Sequence, residues 1–236
     1  MLNLQYTQSI ITTIALLIAY VISATISGPI QAFVAKMMGD STAEDEGFLS
    51  LNPLQHVDLV GIVLVVITGF GWSTIVPIDP SQIKHSWRTL RLLITYGAKT
   101  AVSLVLMGLS LLSLIIIYGS HSLKTALIMF FSDTTVLQDL AKLYPHHSSL
   151  SIACVIILMA FVFINSFLAT WSAINNSFQF ALVMGFEKDY AYMAYAHYLQ
   201  ILGPVIILIL FGGYIHAFFL SSIIYIVQFF AALLGV

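Results

Sequence analysis

The chain has 236 residues, 60% of them hydrophobic and only 8% charged, with a mean hydropathy of +1.01. Such a composition defines an integral membrane protein. The formal charge of −2 offers no polybasic surface for nucleic acid or anionic lipid. The single cysteine, Cys154, sits in an apolar run, which excludes an internal disulfide and reads as a small buried hydrophobe.

In chain order, the first apolar run starts near Ile10 and continues to about Met37, long enough to span with tilt. Small residues at Ser23, Ala24 and Ser27 raise the possibility of a signal peptide. No Lys or Arg precedes Lys36, however, and the helical pattern continues past any cleavage point, so a membrane helix is expected. Pro29 is expected to kink it. Ala24, Gly28 and Ala32 repeat at i, i+4, i+8, a spacing that lets helix backbones approach closely in lipid. Gly39-Asp40 is a turn signal, and Glu44-Asp45-Glu46 is a solvated acidic cluster.

The run Leu59 to Phe70 is short for a span and is expected to enter the membrane and return. That arrangement puts Lys36, Lys84, Arg88, Arg91 and Lys188 on one side and Lys124 and Lys142 on the other, which makes the first side cytoplasmic. In the Gly69 to Lys84 stretch, Pro77 and Pro80 exclude a helix and Thr74-Ile75-Val76 is strand-prone. Non-helical backbone at membrane depth must be covered by protein or line a wet cavity, so this segment implies a cavity.

Leu90 to Tyr118 is the second long helix and Leu150 to about Ile174 the third. Between them, Val136, Leu137, Leu140 and Leu143 follow helical spacing, as for a short helix on the outer membrane surface, while His146 and His147 read as a solvated pair. Tyr190, Tyr192, Tyr195 and Tyr198 form an interfacial aromatic cluster, and apolar runs over Leu199 to Phe211 and Ala217 to Leu234 are bent at Gly212-Gly213. The whole chain, 1–236, is expected to be a single membrane domain with about five spans.

Several of these motifs together resemble the site-2 protease family of intramembrane zinc metalloproteases. That family carries His-Glu-x-x-His-Ala on a membrane helix, then a Gly-Asp turn and Leu-Asn-Pro-Leu-x-His-x-Asp. Ala32, Gly39, Asp40, Leu51, Asn52, Pro53, Leu54, His56 and Asp58 stand where the pattern puts them. Gly69 to Pro80 is similar to the family's Gly-Phe-Gly-Trp-x-x-x-Val-Pro-x-x-Pro stretch, and Asn165, Leu168 and Ala169 match its third core helix. The resemblance implies an all-α membrane fold with three core helices (10–37, 90–118, 150–174), a re-entrant and extended segment over 59–88, and C-terminal helices over 199–235.

The same register puts Ser27 and Gln31 at the family's histidine positions, Gly28 at the glutamate and Phe180 at the ligating aspartate. Serine and glutamine are neutral oxygen donors, poor ligands for zinc, and glycine has no base to offer. The expectation is therefore no metal, no cofactor and no hydrolysis: a pseudoenzyme that holds transmembrane helices of another membrane protein as an assembly, stabilising or regulatory subunit. Its expected contacts, besides the lipid bilayer, are the Ala24/Gly28/Ala32 groove and the extended stretch of Trp72, Val76 and Pro77. In the relatives such a stretch pairs with an unwound substrate as an added strand.

Three polar residues complete the reading. His56 and Asp58 are explained by turn and helix-cap roles beside Asn52-Pro53, or they belong with His85 to a relocated zinc site. Lys99, inside the second helix, either reaches toward the cytoplasmic headgroups or pairs with Asp58 or Asp79 across the cavity. The latter leaves room for a second function, as subunit of a membrane transport or ion-conducting complex.

Overall fold

The computed structural model describes residues 4–84, 86–119 and 149–186, with single positions beyond 200. The described residues form helices α1 (Leu4–Met38), α2 (Thr42–Asp45), α3 (Pro53–His56), α4 (Leu59–Thr68), α5 (Arg88–Tyr118) and α6 (Ser149–Phe186), with no strand among them. Three segments are long and apolar enough to cross a membrane: Ile10–Met38, Arg88–Ile117 and Leu150–Gly185. This is an all-α multi-pass membrane protein. The expected surface helix over 136–143, the tyrosine cluster and the C-terminal helices lie outside the described residues.

The three long helices pack with alternating direction. Ala15, Leu16, Ala19 and Tyr20 of α1 meet Met107, Leu111, Leu114 and Ile115 of α5 and Val155, Ile156, Met159 and Ala160 of α6 in one apolar cluster. The other half of the bundle is polar. There Asn165 donates to the Ser23 hydroxyl at 2.8 Å, Gln31 to the Thr95 carbonyl at 3.3 Å and Asn176 to the Tyr96 carbonyl at 2.6 Å, while the Thr100 and Ser172 hydroxyls share a bond of 2.7 Å. In lipid, where apolar burial gives little drive for helix association, such bonds fasten helices to one another.

Two expectations change here. The third long helix was expected to end near Ile174, but α6 continues to Phe186. No proline interrupts it, and its loop-like residues Asn175, Asn176 and Gln179 are buried between helices instead of facing water. Cys154 is exposed rather than buried. An apolar run in a membrane protein presents one of its faces to lipid, and Cys154 lies on that face.

The α4 helix has ten residues, a rise of about 15 Å against a hydrocarbon core of about 30 Å, so it cannot cross alone. Asp58 caps its start by accepting the Gly61 amide at 2.8 Å, and Gly69 ends it in the left-handed region at φ 79°. Residues 70–79 are neither helix nor strand, so the short strand expected over 74–76 does not form among the described residues, and at Gly71 and Trp72 this segment passes directly against α4. This path is possible because two glycines face each other. A Cβ on Gly61 would overlap the Trp72 carbonyl and the Tyr20 hydroxyl, and one on Gly71 would overlap the Gly61 carbonyl and the Val65 side chain.

Gly61→Ala should accordingly lower the stability of the detergent-solubilised protein by about 1–3 kcal/mol, since both obstructing groups are fixed. Scanning fluorimetry reads this directly. An unchanged melting midpoint would show that the extended segment is not clamped against α4.

Candidate functional site

At the polar half of the bundle, α1, α5 and the extended segment converge. Ser23, Ser27 and Gln31 follow one another at i, i+4, i+8 on α1, and Thr95, Lys99 and Ser103 do the same on α5; all six are buried. Their spacing was a signal available in the sequence, and it marks the inner face of both helices.

Between them sits His56. Its Nε2 donates to the Ser50 carbonyl at 2.7 Å, its ring meets Phe48 edge-on at 5.7 Å, and its carbonyl accepts the Thr74 amide at 2.9 Å. Only 1% of the residue is exposed, and Nδ1 has no hydrogen-bond partner. With Nε2 carrying the proton, Nδ1 is a buried lone pair. Burial holds this imidazole's pKa below the ordinary value of 6.5, with the bond to Ser50 opposing and the charge of Lys99 adding to the depression. The ring lies against Gly28 so closely that a Cβ there would overlap it.

The Ala24/Gly28/Ala32 stripe is thus closed by the chain's own residues. Ala24 and Ala32 are fully buried, Ala32 in a cluster with Ala43, Phe48 and Val76, and His56 fills the space at Gly28. The stripe packs the protein internally instead of presenting a groove to a partner.

The extended segment is fastened at five points. The Tyr20 hydroxyl donates to the Trp72 carbonyl at 2.6 Å while accepting the Asp58 amide at 3.2 Å. The Trp72 ring stacks on Trp171 at 5.0 Å. Lys99 Nζ donates to the Thr74 carbonyl at 2.6 Å, and Asp40 accepts the Asp79 amide at 2.9 Å. The bond from the Thr74 amide to His56 is the fifth. Tyr20 was not singled out from the sequence, because it lies inside an apolar run, and Asp40 was read only as a turn residue of the family pattern, without its bond to the Asp79 amide. Among the described residues, the amides of Ser73, Ile75 and Val76 make no bond. Val76 is buried, Pro77 half-buried, and Ile75 exposed.

Lys99 is corrected on both readings. It is 7% exposed and does not reach the headgroups, because it shares the inner face of α5 with Leu92, Thr95 and Ser103. Neither aspartate pairs with it, since Asp58 holds the Gly61 amide and Asp79 the Ser81 amide and Gln82. The carboxylate of Asp79 is somewhat desolvated, but the bonds from Ser81 and Gln82 and the charge of Lys84 outweigh this and lower its pKa. Phe180 is placed apart from Ser27, Gly28 and Gln31. It packs edge-on against Tyr96 at 6.4 Å and joins Asn176, Gly97 and Thr100 in lining a cavity of about 300 Å³ between α5 and α6.

These residues do not fit a zinc ion. Ser27 donates to the Ala24 carbonyl, Gln31 is engaged by Thr95, and no group of three or more His, Cys, Asp or Glu among the described residues could hold a metal. Of the relocated set, Asp58 is committed to its cap and His85 lies outside the described residues.

The chain is 34% identical over 120 residues to the protein of Bacillus subtilis (strain 168) named "Putative zinc metalloprotease YwhC", an overlap of 50% of this chain and 55% of that protein. It spans about half the length of that relative. No family model matches the chain, and no solved structure matches it. The resemblance to a zinc metalloprotease is supported. The expectation that the chain is not an enzyme is overturned, because the relative's name points to protease activity. That expectation generalised from Ser27, Gly28, Gln31 and Phe180, whereas Glu187, Asp189, His197 and His216 lie outside the described residues.

Two outcomes are expected of His56. Gly28→Ala should destabilise the protein, and adding His56→Ala should recover part of the loss, as thermal melts of both variants and the double variant will show. The pKa depression also gives pH dependence. An imidazole kept neutral in the folded state contributes stability that is complete above the unfolded value of 6.5 and is lost as pH falls below it. The melting midpoint should drop between pH 7 and 5, and His56→Gln should flatten that slope; a slope unchanged in the variant would clear His56 of the role.

Proposed function

We propose that the chain captures a transmembrane segment of another membrane protein in the cytoplasmic membrane, pairing it as an added strand along 73–76. The observation that carries this reading is the extended segment itself. The Thr74 amide and carbonyl are held by His56 and Lys99 on one side, while the amides of Ser73 and Ile75, which alternate to the other side of an extended chain, are left without partners. Unpaired backbone at membrane depth is costly, and an extended peptide laid alongside would satisfy it. The positive charges at Lys36, Lys84, Arg88 and Arg91 support a cytoplasmic placement for the loops that carry them.

Capture is the step shared by proteolysis, to which the relative's name points, and by an assembly or stabilising subunit that keeps its segment intact. One experiment reads the two separately. The chain in nanodiscs is mixed with an apolar peptide of about 20 residues carrying ¹³C carbonyls at its centre. Infrared spectra should show the labelled carbonyls moving from a helical to a β-type band on binding, and mass spectrometry of the same sample reports whether the peptide is cut. A bound peptide whose labelled carbonyls stay helical would sink strand capture.

A further inference from the structure

Gly28, Gly61 and Gly71 each lie against other atoms of the chain, but Gly97, inside α5, does not: a Cβ there would meet no atom within 4 Å. A glycine inside a helix is unfavourable in backbone entropy, and in membranes close helix packing ordinarily offsets this. At Gly97 the bundle makes no such use of the space. The space belongs to the cavity of about 300 Å³ between α5 and α6. Leu93, Gly97, Ala101 and Leu104 form one wall and Ala173 and Ser177 the other. All of these but Ala173 are exposed, so the cavity is a groove that opens sideways. Its floor is sealed by the bond between the Thr100 and Ser172 hydroxyls and by that from Asn176 to the Tyr96 carbonyl.

Length and level indicate the occupant. From Leu93 to Leu104 the groove extends about 16 Å along α5, against about 15 Å for the hydrocarbon of one leaflet. Leu93 lies in the second turn of α5, so the groove begins just beneath the headgroups at the end that carries Arg88 and Arg91, the cytoplasmic one by the charge bias. Further along the same face of α5, Met107, Leu111 and Leu114 pack into the cluster shared with α6, and the groove is closed. A transmembrane helix crosses both leaflets and would meet this closed seam over half its length. An acyl chain crosses one leaflet. Water is a poor occupant of a mostly apolar space that faces hydrocarbon.

The mouth of the groove suits a headgroup. Lys84 is exposed and in no ion pair among the described residues, and no acidic residue stands in the first turn of α5. Trp87 is 78% exposed and in the left-handed region at φ 65°, a strained place for a bulky residue, in a turn that Arg88 fastens by donating to the Ile83 and Pro80 carbonyls. Indole rings favour the headgroup level, where an apolar face and an N–H donor are both used. Ile83 packs with Tyr96 and Phe180, which line the groove, so this turn sits at its cytoplasmic end.

We infer that the groove binds one phospholipid of the cytoplasmic leaflet, with an acyl chain along Gly97 and Ala101 and the phosphate at Lys84 beside Trp87. Gly97 lies on the side of α5 opposite Lys99, so the lipid and a segment held along 73–76 do not compete.

The test uses the full chain, delipidated in detergent, with phosphatidylglycerol as the probe. Native mass spectrometry should show one lipid retained per chain. Gly97→Leu should weaken retention about tenfold, while Gly108→Leu, the same addition outside the groove on the same helix, should leave it unchanged. Lys84→Gln should weaken it about threefold, and an unchanged value would remove the phosphate from Lys84. On the unmodified chain, a photoreactive group midway along the acyl chain should label peptides covering 93–104 or 173–177. Unchanged retention in Gly97→Leu, or labelling spread over the exposed face of α1, overturns the site and leaves ordinary boundary lipid. Displacement by equimolar oleate overturns the phospholipid in favour of a free fatty acid, and displacement by an apolar peptide of about 20 residues overturns it in favour of a partner helix. Should Gly97→Leu fail to fold, the labelling decides the matter alone.

Discussion

Backbone that is not helical has to find hydrogen-bond partners wherever water is absent, and the rest of this structure depends on how residues 70–79 meet that demand. The Trp72 carbonyl is served by Tyr20 and the Thr74 carbonyl by Lys99, so one donor comes from each of two different membrane helices. Each bond also fixes a distance between helix and segment. Gly61 and Gly71 exist at their positions because the segment, once held there, leaves no room for a side chain on α4. Tyr20 further joins the cap of α4 to the segment through the Asp58 amide, so α1, α4 and the extended chain form one unit.

The bundle divides its labour lengthwise. Its apolar half, built from Ala19, Leu111, Met159 and their neighbours, packs by shape. In its polar half, side-chain bonds align the helices, and a few atoms remain unserved: His56 Nδ1, Ser103 Oγ, Asn165 Oδ1, Asn175 Oδ1 and Gln179 Nε2. Polar groups left incomplete in a buried place are an expense that a purely structural seam would have no reason to carry. Thr12 Oγ1, near the start of α1, is unserved as well, but these five lie in the half of the bundle that also contains Lys99 and the segment 70–79.

The three long helices were legible in the sequence because length and hydropathy suffice to define a span, and the segment containing Pro77 and Pro80 because proline forbids the alternative. The cap at Asp58 followed from residue type and position, and the structure places its side chain on the Gly61 amide; Asn52, read from the sequence only as part of a turn, also caps α3 by accepting the Leu54 amide. Facing was harder to read. In a chain that is apolar on every side, hydropathy does not tell lipid from core, so Cys154 was turned inward, Lys99 was read as reaching the headgroups or pairing with Asp58 or Asp79, and the small-residue stripe was given to a partner. Polar spacing held the missing information: Ser23, Ser27 and Gln31 on one helix and Thr95, Lys99 and Ser103 on another each trace a buried face. The end of α6 was missed for a related reason. Asn175, Asn176 and Gln179 look like the start of a loop when their partners across the bundle are unknown.

Metal chemistry and segment capture make separate demands on such a scaffold. A zinc site needs several charged or imidazole donors at fixed distances, and Ser27, Gly28 and Gln31 meet none of that demand. The proposed capture needs instead an edge with free amides, which among the described residues the amides of Ser73 and Ile75 would supply. At Gly28 the two demands touch. An absent side chain there leaves a volume that His56 enters, and the imidazole in turn anchors Thr74 through its own carbonyl. The residue at position 28 thereby acts on the edge it never contacts: a larger group would expel His56, and the first point to loosen would be the Thr74 amide bond. Gly28 and the His56 imidazole thus form one packing relation, and through the His56 carbonyl it bears on the segment that contains Thr74.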